Sequence, residues 1–147
     1  LAGVQQAMRE AGQVIPDEYI LKVSGANPEQ GMAAMDHLLI LPGPPTALVC
    51  YNDMLAIGVI RGLQQAGYKV PGDFSVTGFD NIVYSAYTNP PLTTFDQPKR
   101  FIGTEAARLI LGLLIPAGDE ILPVEPRIRM LKGRLLVRAS TASPRYL

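Results

Sequence analysis

The 147-residue sequence has the length of one domain and a globular make-up, 48% hydrophobic and 18% charged. Thirteen Lys and Arg balance thirteen Asp and Glu, giving a formal net charge of zero. A stand-alone binder of nucleic-acid phosphates needs a positive surplus or a basic face, and is disfavoured.

A single Cys rules out an intramolecular disulfide, and with a single His it leaves too few soft ligands for a structural zinc site. No apolar run approaches the roughly 18 residues of a membrane span. The opening LAGVQQAMREAG is not a charged-then-apolar signal peptide. The expectation is a soluble, intracellular chain with no metal and no cofactor. Glycine and proline together make up about 18% of residues, which promises many short connections.

Helix-period and strand-period segments alternate along the chain. Leu1, Val4, Ala7, Met8 and Ala11 fall on one helical face, with Gly12 as a stop. Residues 19–23 read as a short strand. Asn27, Pro28 and Gln30 form a helix start in which Asn caps, Pro takes the first turn and Gln reaches back. Met32, Met35, Leu38 and Leu39 follow as its buried face, and the Pro-rich stretch 42–45 ends it. Residues 46–50 form an unbroken apolar strand of the kind covered on both faces. Asn52 caps a helix running through Ile57, Ile60, Leu63 and Gln64, and Gly67 ends it. Residues 74–78 make the next strand. Phe101–Leu114 is a further helix with Ile102, Ala106, Leu109 and Leu113 aligned. Residues 128–137 read as a hairpin turning at Lys132 and Gly133. There is no internal repeat and no linker-like stretch.

Strands alternating with helices imply right-handed crossovers and a doubly wound, mostly parallel α/β sheet. Ligands of such sheets bind beyond the carboxyl ends of the strands. That rule selects Tyr51, Asn52 and Asp53 after one strand and Phe79, Asp80 and Asn81 after the next. Short carboxylates and amides there suit the hydroxyls of a sugar-sized ligand.

Each signal also has a plain structural meaning. Asn52 is a helix cap and Asp53 a first-turn charge favoured by the helix dipole, roles compatible with ligand contact. Asp80 suits an Asx turn as well as a ligand. His37, between Asp36 and Leu38 with no second His, reads as structural, and Cys50 as a small core residue. Arg127, Arg129, Lys132, Arg134 and Arg138 read as a solvated strand face. No phosphate loop, nucleophile elbow, H-E-x-x-H or C-x-x-C is present. Nothing fixes the spacing of Asp53 and Asp80 as a carboxylate pair. The chain reads as a binder and not as an enzyme.

The string PTALVCYNDMLAIG from Pro45 to Gly58, taken with GYKVPGDFSVTGFDN from Gly67 to Asn81, resembles the lac repressor/gal repressor family of bacterial transcription regulators. PLTTFDQP from Pro91, the stretch Gly103–Ala107 and LVRAST from Leu136 match that family's C-terminal signatures. The resemblance implies a periplasmic-binding-protein type I fold, in which two α/β lobes close over an effector. Operator DNA is then met only through a separate N-terminal helix-turn-helix, and no membrane is involved. It implies a C-terminal lobe at residues 1–91, a returning strand and helix of the other lobe at 92–124, and tail strands at 125–147.

By the same match Asn52 and Asp80 are effector contacts, and Gln97 lies at the crossing between lobes. Ala26 stands where the family often has an aromatic that stacks on ligand, while the family's effector-clamping Arg falls before Leu1. Ile57, Ile60, Val83, Tyr84 and Tyr87 are the implied homodimer face. The helix face of Ile102, Ala106, Leu109 and Leu113 is expected to be exposed or buried against another chain. The function so implied is that of a cytoplasmic regulator's effector-binding and dimerisation region, sensing a sugar or nucleoside-type molecule. The alternatives are a periplasmic sugar-binding protein of a transporter and a small α/β enzyme.

Overall fold

Two asparagine caps set the frame of the fold. Asn27 Oδ1 accepts the Gln30 amide at 3.0 Å and starts α2, Pro28–Leu38. Asn52 Oδ1 accepts the Leu55 amide at 2.9 Å and starts α3, Asp53–Gln65. Each occupies one of the N–H groups that a first helical turn leaves without a partner. The other two predicted helices are present too, α1 at Ala2–Glu10 and α4 at Lys99–Leu114. The computed structural model describes residues 1–114 and 128–144.

Four strands form one sheet in the order β1 (Ala47–Val49), β2 (Ser75–Phe79), β3 (Thr93–Asp96), β4 (Arg134–Leu136). The first three are parallel and β4 is antiparallel to β3, so the mostly parallel α/β sheet expected from the alternation is there. Helix α3 is the crossover from β1 to β2. It sets Ala56, Val59, Ile60 and Leu63 against Val76 and Leu92, and α2 adds Ala34, Met35 and Leu38. The two helices touch backbone to backbone: a Cβ on Gly58 would lie 1.9 Å from the Pro28 carbonyl oxygen, so only glycine fits.

Several expectations are corrected. β1 is not covered on both faces. Leu48 packs toward the core, but Val49 is 62% exposed, because α2 and α3 both lie on the Val76 side of the sheet. The uncovered side carries the stacked pair Phe79 and Phe95, ring centroids 5.1 Å apart, in register with Leu135. Residues 19–23 form no strand. Pro16 leads into a 3-10 turn over Asp17–Tyr19, and the Tyr19 hydroxyl donates to the Gly43 carbonyl at 2.9 Å. Gln30 does not reach back to the cap residue; its side-chain oxygen accepts from the Ser24 hydroxyl at 3.1 Å.

Residues 128–137 form no hairpin. β4 pairs with β3, and Gly133 is there because a Cβ would come 2.4 Å from the Phe95 ring. β3 shares the sheet of β1 and β2, so the expected division between residues 91 and 92 does not separate two sheets. On α4, Ile102 and Ala106 are exposed and Leu109 is half-buried, and the side chain of Leu113 lies outside the described residues. No described side chain of α4 is buried.

Candidate functional site

The carboxyl ends of β1, β2 and β3 deliver Asn52, Asp80 and Gln97 to one edge of the sheet. Asn52 uses both ends of its amide: Oδ1 caps α3, and Nδ2 donates to the Ala26 carbonyl at 3.2 Å. The residues expected to flank an effector, Asn52 and exposed Ala26, are therefore joined through backbone. Asp53 is fully buried. One of its oxygens accepts the Ile82 amide at 2.8 Å and the other accepts the Thr94 hydroxyl. That places it beneath the site as a brace between α3, β3 and the loop after β2. A two-carboxylate pairing with Asp80 is not formed, since both Asp53 oxygens are engaged inside the fold.

Asp80 and Asn81 have φ of 109° and 49°, both in the left-handed region that non-glycine residues rarely enter. The Asp80 amide donates to the Phe95 carbonyl at 3.0 Å, and its carboxylate accepts a hydrogen bond from Gln97 Nε2. Two predicted contacts, Asp80 and Gln97, are thus brought together from the ends of neighbouring strands.

The strand-end rule selected Asn81 without a role for it, and sequence reasoning missed one residue here. Asn81 has every polar group engaged. Its amide donates to Thr94 Oγ1 at 3.2 Å, its carbonyl accepts from Lys99 Nζ at 3.3 Å, and its Nδ2 donates to Asp96 Oδ1 at 3.0 Å. Its Oδ1 accepts from Arg138 at 2.8 Å. Arg138 is the missed residue and a correction. It is not on a solvated face with Arg134, which is exposed and bridges to Asp96 at 3.2 Å. Its guanidinium is half-buried and also donates to the Leu92 carbonyl at 2.7 Å and to Ser85 Oγ at 3.1 Å. Strand alternation could not separate Arg138 from its basic neighbours, because β4 ends at Leu136 and the alternation ends with it. Arg127 lies outside the described residues.

The Asn81 amide donating to Asp96, with the Arg134 and Lys99 charges adding, holds the Asp96 carboxyl below its usual value. Burial, then the Asp53 charge, pushes the thiol of Cys50, half-buried against the core, up to about 12. His37 is exposed on α2. Of the expected dimer face, Ile60 is corrected: only 3% exposed, it belongs to the core under α3. Ile57 is half-buried. Val83, Tyr84 and Tyr87 are exposed on and beside the 3-10 turn Val83–Ala86, Tyr87 at 81%. No helix among the described residues is long and apolar enough to cross a membrane.

Amides and a carboxylate gather beyond the ends of parallel strands, where sheets of this kind place their ligands. The HTH-type transcriptional repressor CytR of Escherichia coli K12 is 40% identical over 133 residues, covering 88% of this chain and 39% of that protein. The chain therefore spans well under half the length of that relative. A LacI-family transcriptional regulator from Sanguibacter keddieii superposes with a TM-score of 0.85 at 33% identity, over 97% of this chain and 52% of that one. The regulator CelR in complex with cellobiose gives a TM-score of 0.81 at 30% identity, over 94% of this chain and 40% of that one. The chain belongs to the periplasmic-binding-protein-like domain family, whose model matches residues 1–141, and is of the lac repressor/gal repressor type.

Proposed function

We propose that the chain is the effector-binding and dimerisation region of a cytoplasmic transcription regulator that senses a sugar or nucleoside-type molecule. The observation that carries the reading is the Asp80–Gln97 pair at the strand ends. A carboxylate accepts from two vicinal hydroxyls, and a neighbouring amide both donates and accepts, which is the chemistry a polyhydroxylated ligand needs. Asn52 borders the same edge, joined to Ala26, which carries no ring to stack on a ligand.

Val83, Tyr84 and Tyr87, with Ile57 at their margin, form the homodimer face in this reading, aromatic anchors of the kind interfaces prefer. Residues 1–91 form the bulk of one lobe, 92–124 lead toward the second lobe, and 125–147 return. Effector binding shifts the population toward closed lobes and changes operator affinity in a separate helix-turn-helix. The regulator relatives favour this over a transporter's sugar-binding protein, which shares the fold.

The test takes the full-length protein, selects bound duplexes from a random DNA library, and repeats the gel shift with sugars and ribonucleosides added. Sequence-specific binding that one compound changes by about tenfold or more is expected, as for coupling free energies of 1–3 kcal/mol. Absence of specific DNA binding, or indifference to every compound, overturns the regulator reading.

A further inference from the structure

We infer that Arg138 is a positioning residue for the effector site, fixing the direction of the Asp80 carboxylate through Asn81. The inference rests on the proposed ligand role of Asp80. Asp80 and Asn81 are the only non-glycine residues with positive φ among those described, and they are consecutive. Such backbone costs free energy and persists only where its surroundings hold it. The Asp80 amide is held on the Phe95 carbonyl at 3.0 Å, while its carboxylate meets the Gln97 side chain.

Asn81 adds to this hold, and the shortest of its hydrogen bonds, 2.8 Å, comes from the guanidinium. Arg138 places one nitrogen 2.8 Å from Asn81 Oδ1 and another 2.7 Å from the Leu92 carbonyl, so a single planar group spans the loop after β2 and the start of β3. Arg138 is itself fixed at both ends. Its amide donates to Thr93 Oγ1 at 2.9 Å, and two residues on, Ser140 Oγ donates to the Val76 carbonyl at 2.6 Å and accepts the Thr93 amide at 2.8 Å. The tail of the chain thereby reaches the residue proposed to touch ligand without touching ligand itself. Only arginine has the fork for two divergent acceptors; lysine keeps the charge and loses the geometry.

Amide hydrogen exchange in the full-length Arg138→Lys variant tests this without any ligand. Exchange at Asp80, Asn81 and Ile82 should quicken by about tenfold or more, the worth of a charge-assisted hydrogen bond, while Ile60 and Leu63 in α3 hold their wild-type rates. Asn81→Gly keeps the backbone conformation available and removes the acceptor, so it should reproduce the effect. Adding Arg138→Lys to it should add little. Unchanged exchange at 80–82, or an equal rise throughout the fold, overturns the inference.

A binding arm uses ribose, galactose, cellobiose, cytidine and adenosine. Whichever compound binds should bind about tenfold more weakly to Arg138→Lys, by the same hydrogen-bond worth. Loss of binding in Asp80→Asn but wild-type affinity and exchange in Arg138→Lys overturns the role of Arg138 and leaves the site standing. Binding indifferent to Asp80→Asn overturns the site, and the exchange result then still decides whether Arg138 holds the loop.

Discussion

Gln97 donates its side-chain N–H to the Asp80 carboxylate from the end of the neighbouring strand. The two residues are 17 positions apart, and the contact exists because β2 and β3 are parallel and end together, with Phe79 opposite Phe95. The carboxylate is therefore partnered by a group that is itself half-buried. Gln97→Ala leaves the Asp80 amide on the Phe95 carbonyl and so should fold normally. Effector affinity, measured by titration calorimetry on the full-length protein, should fall by about tenfold, one charged hydrogen bond's worth.

Asp53 braces the site from below. Asp53→Ala leaves the Ile82 amide and the Thr94 hydroxyl without their acceptor. The expected loss is about 3 kcal/mol of stability, read as a lower urea midpoint at unchanged slope.

The α2–α3 contact admits no side chain at Gly58, since a Cβ would overlap the Pro28 carbonyl. Gly58→Ala gains helix propensity yet should lose about 2 kcal/mol or more, because two helices must separate to accept one methyl group. Thermal unfolding by circular dichroism reads the difference directly.

Asp96 gives the pH dependence a sign. Its folded carboxyl is held below the ordinary value by Asn81, with Arg134 and Lys99. The stability it contributes is thus present above the unfolded-state pKa and is lost as pH falls through the lowered one. The melting temperature should drop on acidification below the ordinary carboxylate range. Asp96→Asn should flatten that drop, and 1 M salt should reduce it because the partners are exposed.

What the sequence made legible was whatever depends on neighbours close in the chain. The caps at Asn27 and Asn52, the helices behind them and the apolar strands at 47–49 and 75–79 are local, and each appears. The strand-end rule placed Asp80 beside the site, and the family resemblance supplied Gln97. Readings that needed the third dimension failed. The family resemblance put Ile60 on the dimer face, but only the fold shows that α3 turns it inward. Gly133 has the signature of a turn, but the Phe95 ring requires it. Arg138 looked like one of several tail charges, since its partners Asn81 and Leu92 are 57 and 46 residues away.

The central claim is that the strand-end carboxylate Asp80 receives a polyhydroxylated effector. Its most direct test is a thermal-shift measurement of the full-length wild-type protein and the Asp80→Asn variant against a panel of sugars and ribonucleosides. At a ligand concentration 100 times the dissociation constant, binding adds about 2.7 kcal/mol to the native state, enough for a shift of several degrees. The account predicts such a shift for at least one compound in the wild type and its disappearance in Asp80→Asn. No shift with any compound, or an equal shift in both proteins, would contradict it.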